Sequence, residues 1–272
     1  GSLSAALEGG PAFIEAAQAA AESADEDALV PPGAPLLAPI DAVAYRDFMA
    51  FEEHFVTASR KLRGRDPAPV LYELPVSYFG NAHAIVGPDQ EIPWPHYTDH
   101  MDYELELGIV IGTGGRDVPP DQALGHVLGL TVFNDFSARD IQSREMTGGL
   151  GPSKGKHFAS AVGPRIVTLD SLPSALAMTA RINGEVWSEG ATGTIMWPIA
   201  ELIAWASAGE PLVAGTLLGS GTVGGGCGAE LGRKLSPGDV VELEIEGIGV
   251  LRNRLATPSA NGWTPTPRTP SA

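Results

Sequence analysis

Polar and apolar positions alternate most cleanly over Met101-Asp102-Tyr103-Glu104-Leu105-Glu106-Leu107-Gly108-Ile109-Val110-Ile111. This pattern predicts a β-strand closed by Gly112 and Gly114-Gly115. Strand side chains point to opposite faces in turn, so Glu104 and Glu106 share one face and Leu105 and Leu107 take the core face. A second buried strand is expected over 130–135, ending in the carboxylate of Asp135. Beyond Pro164 the chain reads as β-rich. Residues 176–182 and 185–187 form a hairpin about Asn183-Gly184. Strands follow within 212–223, over 239–248 with Glu242, Glu244 and Glu246 on one exposed face, and over 251–255.

A helical period appears elsewhere. Phe48, Phe51 and Phe55 recur at spacings of 3 and 4 and predict a helix over 44–62, with Asp47 and His54 on one face two turns apart. Shorter helices are expected at 121–128 and, opened by Pro198, at 198–208. The Ala-rich stretch 1–28 holds two weak helices broken by Gly9-Gly10-Pro11. The prolines of 30–35 make a rigid connector, 36–40 an edge element, 70–74 a strand, and 75–95 a long loop of the kind that lines sites. Proline-rich 256–272 should be disordered. The expected organisation is an N-terminal extension over 1–40, one domain over 41–255 and a tail, with no internal repeat.

Composition narrows the function. Of 272 residues, 33 are acidic and 17 basic, a formal charge of -16, which argues against nucleic acid and anionic membrane surfaces as partners. An anionic substrate would then need local compensation. No apolar run reaches the roughly 18 residues of a membrane span, and no basic-then-apolar leader is seen. With a single cysteine, Cys227, a reducing, cytoplasmic setting is expected.

Four acids carry the candidate chemistry: Glu104 and Glu106 on one strand face, Asp135 at the end of the next strand, and Asp47. A site of carboxylate oxygens prefers a hard cation, Mg2+, Mn2+ or Ca2+. The six histidines are scattered, with only His96 and His100 close together, in a stretch rich in loop residues, which disfavours zinc. His54 reads as a surface residue or as a general base. Lys154 and Lys156 lie in a glycine-rich run and read as surface charges or as anion-holding groups. Cys227 reads as structural. Gly219-x-Gly221 and Gly224-Gly225-Gly226 lack the Gly-Lys-Ser/Thr of a phosphate loop and suit sharp turns or close backbone approach.

Several stretches together resemble the fumarylacetoacetate hydrolase family: Tyr103-Glu104-Leu105-Glu106-Leu107, Asn134-Asp135-Phe136-Ser137-Ala138-Arg139-Asp140-Ile141-Gln142, Leu150-Gly151-Pro152-Ser153-Lys154-Gly155-Lys156-His157-Phe158, Asn183-Gly184-Glu185 and Gly219-Ser220-Gly221-Thr222-Val223. The resemblance implies a mixed, mainly β (α+β) fold, a β-sandwich roll with flanking short helices, often dimeric. It implies a cation, usually Mg2+ with Mn2+ or Ca2+ possible, held by Glu104, Glu106 and Asp135, with Asp47 at the family's spacing of seven before the catalytic His54. Lys156 would sit near metal and substrate oxygens, Glu230 would orient the histidine, and Tyr78, Gln142 and Thr222 would contact substrate.

Met146 stands where the hydrolase branch has a substrate-side tyrosine, Met49 where it has another, and Gly80-Asn81 where it has Gly-Arg. These losses of polar groups argue against fumarylacetoacetate itself. The implied activity is metal-dependent hydrolysis of a carbon–carbon bond in a small anionic 2-oxo or 1,3-dicarbonyl acid by way of an enolate, a catabolic step. Decarboxylation, tautomerisation or hydration on the same site are the alternatives. A non-catalytic small-molecule binding protein is a further one.

Overall fold

The computed structural model describes residues 2–25, 31 and 33–268. Helices α1 (Leu3–Leu7) and α2 (Pro11–Glu22) precede strand β1 (Ala44–Phe48), helices α3 (Glu52–Arg63) and α4 (Val70–Glu73), and the short strands β2 (Ser77–Phe79), β3 (Ile85–Val86), β4 (Glu91–Trp94) and β5 (Met101–Asp102). Then come β6 (Leu105–Ile111), α5 (Pro120–Ala123), β7 (Val127–Asn134), β8 (Ser137–Ala138), α6 (Arg139–Met146) and β9 (Ser160–Val167). The last third runs β10 (Ala177–Ile182), β11 (Glu185–Ala191), α7 (Ile199–Ser207), β12 (Thr216–Thr222), α8 (Gly228–Leu231), β13 (Val240–Ile245) and β14 (Gly249–Pro258).

Two mixed sheets result, one in the order β2-β1-β12-β6-β7-β9-β3 and one in the order β11-β10-β13-β14-β4, with β5 and β8 pairing apart. The larger core lies between them. Leu105, Leu107, Ile109 and Ile111 of β6 pack in one cluster with Met178, Ala180 and Ile182 of β10 and Leu243 and Ile245 of β13. The opposite face of the seven-stranded sheet has its own cluster, in which Tyr45, Val110, Phe133, Val162 and Leu217 are buried with Leu7 of α1. Both faces of β6 are therefore covered. The fold is the mixed, mainly β class with short flanking helices.

Several expected elements take another form. Residues 44–62 are not one helix. Residues 44–48 enter the sheet between β2 and β12, and only after Met49-Ala50-Phe51 does α3 begin. Pairing on both edges outweighs the helical spacing of the phenylalanines, all three of which are buried by other means. In place of the strand expected over 70–74, Val70–Glu73 form a one-turn helix capped by Pro69, and Leu74 is extended. The strand over 101–111 breaks at Tyr103-Glu104 into β5 and β6, and Glu104 and Glu106 are both buried. Residues 121–128 shorten to α5 and a 3-10 turn, Leu124–His126. Residues 36–40 carry no regular element. The predicted connector at Val30 and Pro32, the stretch 26–28 and the tail end 269–272 lie outside the described residues. Residues 259–268 run without regular structure and are exposed, tied by Ser259 N–H to the Trp94 carbonyl at 3.0 Å.

Candidate functional site

The second face of the seven-stranded sheet carries acids at one end. Alternation along β6 puts Glu106 on the side of Val110, and Glu104 stands just before the strand on the same side. On β1 the same alternation puts Asp47 beside Tyr45. Asp135 follows β7, whose Phe133 sits opposite Glu106. Oxygens of Asp47, Glu104, Glu106 and Asp135 all lie within 4.8 Å of one another, and all four residues are buried.

Glycines let these acids converge. At Gly219, opposite Asp47, a Cβ would stand 2.3 Å from Asp47 Oδ1. Gly221 has φ +81° within a register shift of β12 against β6, and a Cβ there would lie 2.4 Å from the Phe48 carbonyl oxygen. The bulge aims the Gly221 N–H at both Asp47 Oδ1 (3.2 Å) and Glu106 Oε2 (3.1 Å). Thr222 Oγ1 donates to Glu106 Oε1 at 3.3 Å.

Two buried cations answer part of the negative charge. Lys156 Nζ pairs with Glu104 and lies 2.6 Å from Asp135 Oδ2. Arg139 places NH1 2.9 Å from Glu104 Oε1 and 3.1 Å from Gln142 Oε1, and its Nε 2.8 Å from Asp102 Oδ2. Burial alone would raise the Glu104 carboxyl, but Lys156 and Arg139 outweigh it and hold it at about 2. Burial likewise works to lower the Lys156 ammonium, and Asp135 and Glu104 override it and raise it. Asp135 also receives hydroxyls from Tyr45 (3.3 Å), Ser160 (3.2 Å) and Tyr78. Burial and the Asp135 charge push the Tyr78 hydroxyl well up.

Asp47 and Glu106 are different. They accept from neutral donors, the Gly221 N–H and the Thr222 hydroxyl. Burial first, then the neighbouring acids, pushes both carboxyls well above the ordinary carboxylate range. A cage of four buried carboxylates, two of them without a cationic partner in hydrogen-bond contact among the described residues, is a fit for a divalent cation, and its all-oxygen donor set suits a hard one.

The His54 ring lies beside this cage. It sits in the first turn of α3, where Phe55 is buried at the next position. His54 Nδ1 is 2.9 Å from Glu230 Oε2, with both residues buried. Glu230 is fixed by the Gly225 N–H (3.3 Å), and Cys227 Sγ lies 3.4 Å from Oε2. Asp102 joins the two halves of the site. Its oxygens accept from Arg139 and from the N–H groups of Gly228 (2.8 Å) and Ala229 (3.0 Å), which open α8, the helix carrying Glu230.

The structure thus gathers Asp47, Glu104, Glu106, Asp135, Lys156, Tyr78 and Thr222 around one point, with Gln142 against Arg139 and the His54–Glu230 pair alongside. Met146 is half-buried at the end of α6. Lys154 is exposed, so only Lys156 of that pair enters the site. The sequence alone gives no role to Asp102, Arg139, Tyr45 or Ser160. Arg139 lay inside the quoted Asn134–Gln142 stretch, and Asp102 two positions before Glu104, on the same strand face. Nothing local marks Tyr45 or Ser160.

Comparison with known proteins places these features in a wider set. Residues 43–256 match the family model described as fumarylacetoacetate (FAA) hydrolase C-terminal. The human mitochondrial oxaloacetate tautomerase FAHD2A is 37% identical over 189 residues, 66% of this chain and 59% of that protein. The crystal structure of 5-carboxymethyl-2-hydroxymuconate delta-isomerase from Mycobacterium smegmatis superposes with a TM-score of 0.67 at 32% identity, covering 82% of this chain and 80% of that one. Fumarylpyruvate hydrolase from Pseudomonas aeruginosa, solved with Mn2+ and pyruvate, gives a TM-score of 0.68 at 27% identity over 84% and 98%.

Proposed function

The chain belongs to the fumarylacetoacetate hydrolase family and is an enzyme, and from that premise we propose that it hydrolyses a carbon–carbon bond in a small anionic 2-oxo or 1,3-dicarbonyl acid with the help of a divalent cation. The observation that carries this reading is the buried His54–Glu230 pair, 2.9 Å apart, beside the four-carboxylate cage. Asp47, Glu104, Glu106 and Asp135 would hold the cation, with Mg2+ as the resident ion and Mn2+ or Ca2+ as substitutes. Bound there, it supplies Lewis acidity toward the substrate's oxygens.

The chain's own residues supply the rest. Glu230 accepts from Nδ1 of His54, which fixes the tautomer and leaves Nε2 free to take a proton from water. The water oxygen adds to one carbonyl carbon, and the bond between that carbon and its neighbour breaks. The bonding pair goes to the neighbour as an enolate. The proton on Nε2 returns to that carbon, so that two acids result and one water is consumed. Lys156 stabilises negative charge on substrate oxygens, and Tyr78 and Gln142 border the substrate. The enzyme works as a homodimer.

Keto–enol isomerisation on the same site is the second reading. It is favoured by the names of the human tautomerase and the mycobacterial isomerase among the similar proteins, and by Met49 and Met146 at positions where a hydroxyl is implied for the hydrolase branch. Incubation with Mg2+ or Mn2+ and a panel of acylpyruvates and oxaloacetate, with product identification, separates the two. Hydrolysis yields two acids and is lost in His54→Gln. Isomerisation speeds decay of the enol absorbance with no bond broken. If no oxo acid is turned over while cation and ligands still bind, the enzyme reading fails in favour of a binding protein.

A further inference from the structure

The His54–Glu230 pair has a third neighbour that the proposed reaction does not use. Cys227 Sγ lies 3.4 Å from Glu230 Oε2, and Glu230 Oε2 lies 2.9 Å from His54 Nδ1. One ligand atom from each of His54, Cys227 and Glu230 falls within 4.8 Å of the other two, and all three residues are buried. Cys227 and Glu230 are three residues apart, at the cap and in the single turn of α8, and His54 reaches them from far along the chain because α3 packs against α8.

The donor set is nitrogen, sulfur and oxygen, in contrast to the all-oxygen cage beside it. Three protein ligands with a fourth position left open is the arrangement Zn2+ and Co2+ adopt, and thiolate and imidazole select them over Mg2+ and Ca2+. The charges that bear on Cys227 are those of Asp102, Glu230 and Glu104, offset in part by Arg139, and Lys61 Nζ donates to the Glu230 carbonyl at 2.6 Å. A serine or alanine at position 227 would leave the His54–Glu230 hydrogen bond in place, so the water-activating pair itself gives no reason for a thiol there.

We propose that His54, Cys227 and Glu230 form a second metal site, specific for a thiophilic divalent cation such as Zn2+, which inhibits the enzyme when filled. Binding releases the thiol proton to solvent and forms a metal–sulfur bond. It also occupies Nδ1 of His54, which forces the remaining ring proton onto Nε2. That nitrogen then has no lone pair with which to accept a proton from water. The binding claim stands on the three side chains alone. The inhibition rests on the reading of His54 as the base.

The test uses the full chain, stripped with a chelator and then saturated with Mg2+ to fill the carboxylate cage. Titration with Co2+ should bind one further ion per chain with near-ultraviolet thiolate-to-cobalt charge-transfer absorption. That absorption should vanish in Cys227→Ser and persist in Glu106→Ala. His54→Gln, which keeps the thiol, should weaken Co2+ binding by about 10-fold or more. Circular dichroism checks that each variant folds, and Cys227→Ala serves if Cys227→Ser does not. Co2+ binding without the thiolate band, or a band unchanged by loss of Cys227, overturns the site. With the band present, inhibition of wild type by Zn2+ that is relieved in Cys227→Ser supports the inhibitory role. A Zn2+-bound enzyme of undiminished rate overturns that role and leaves the site standing.

Discussion

Lys156→Met isolates the competition between a lysine and a metal for one set of carboxylates. Methionine keeps the reach of the side chain and removes its charge. Glu104 would retain Arg139 NH1 at 2.9 Å, and Asp135 its three hydroxyls, but the cluster would lose one of its two buried cations. Removing one partner of a buried ion pair costs about 3–5 kcal/mol. At roughly 2–4 °C per kcal/mol for a chain of this size, the metal-free variant should melt about 6–20 °C lower. Protonation can neutralise carboxyls left without a cationic partner, so the loss should shrink as the pH falls. Mn2+ should narrow the gap, because the ion replaces the missing charge, and Mn2+ should bind the variant more tightly than wild type, since its rival is gone. The assay is a thermal midpoint with chelator and with Mn2+, together with a calorimetric Kd. An equal loss of midpoint in both conditions, or weaker Mn2+ binding by the variant, would refute the reasoning.

Other perturbations probe the same geometry. Gly219→Ala puts a Cβ 2.3 Å from Asp47 Oδ1 and should lower Mn2+ affinity with little change in secondary structure, read by calorimetry and circular dichroism. Asp102→Asn weakens the Arg139 fork and the opening of α8, and should cut turnover about 10-fold or more, with Mn2+ affinity falling less than in Gly219→Ala. Asp47 and Glu106 titrate above their unfolded values, so their protonated forms favour the metal-free fold and that contribution is lost as pH rises through their folded values. The metal-free midpoint should therefore fall as the pH rises above the ordinary carboxylate range, while Mn2+ affinity rises in the same direction, with a buffer-dependent heat of binding where protons are released. Glu104, held at about 2, contributes nothing to this slope, since its own stabilising contribution is lost only under stronger acid.

The site was legible in the sequence where chemistry coincides with a short-range period. Glu104 and Glu106 are two apart on an alternating stretch, and the turn at Asn183-Gly184 marks its hairpin locally. Asp47 shows the limit. Phe48, Phe51 and Phe55 suggest one helix, which would bring Asp47 and His54 together on a helical face. Instead Asp47 lies on a strand whose partners, β2 and β12, are about 30 and 170 residues away, distances over which no local pattern carries information. The two residues still serve one site, by way of a strand-to-helix corner. The burial of the Glu106 face was likewise hidden, because it depends on Leu7 and Tyr45 closing over β6 from distant parts of the chain. Arg139 and Asp102 join charges that only the folded sheet brings together. Gly221 needed the bulge of β12 to reveal why a residue with φ +81° stands between Ser220 and Thr222.

The central claim is that Asp47, Glu104, Glu106 and Asp135 form one divalent-cation site. Calorimetric titration of Mn2+ into chelator-stripped protein at pH 7.5, a value within the usual range of about 5–8 for greatest stability, tests it most directly. Wild type should bind one ion per chain through this cage. Glu106→Gln, which keeps the size of the side chain and removes its charge, should lose that binding while retaining its fold by circular dichroism. Binding by Glu106→Gln with unchanged stoichiometry and affinity would contradict the claim.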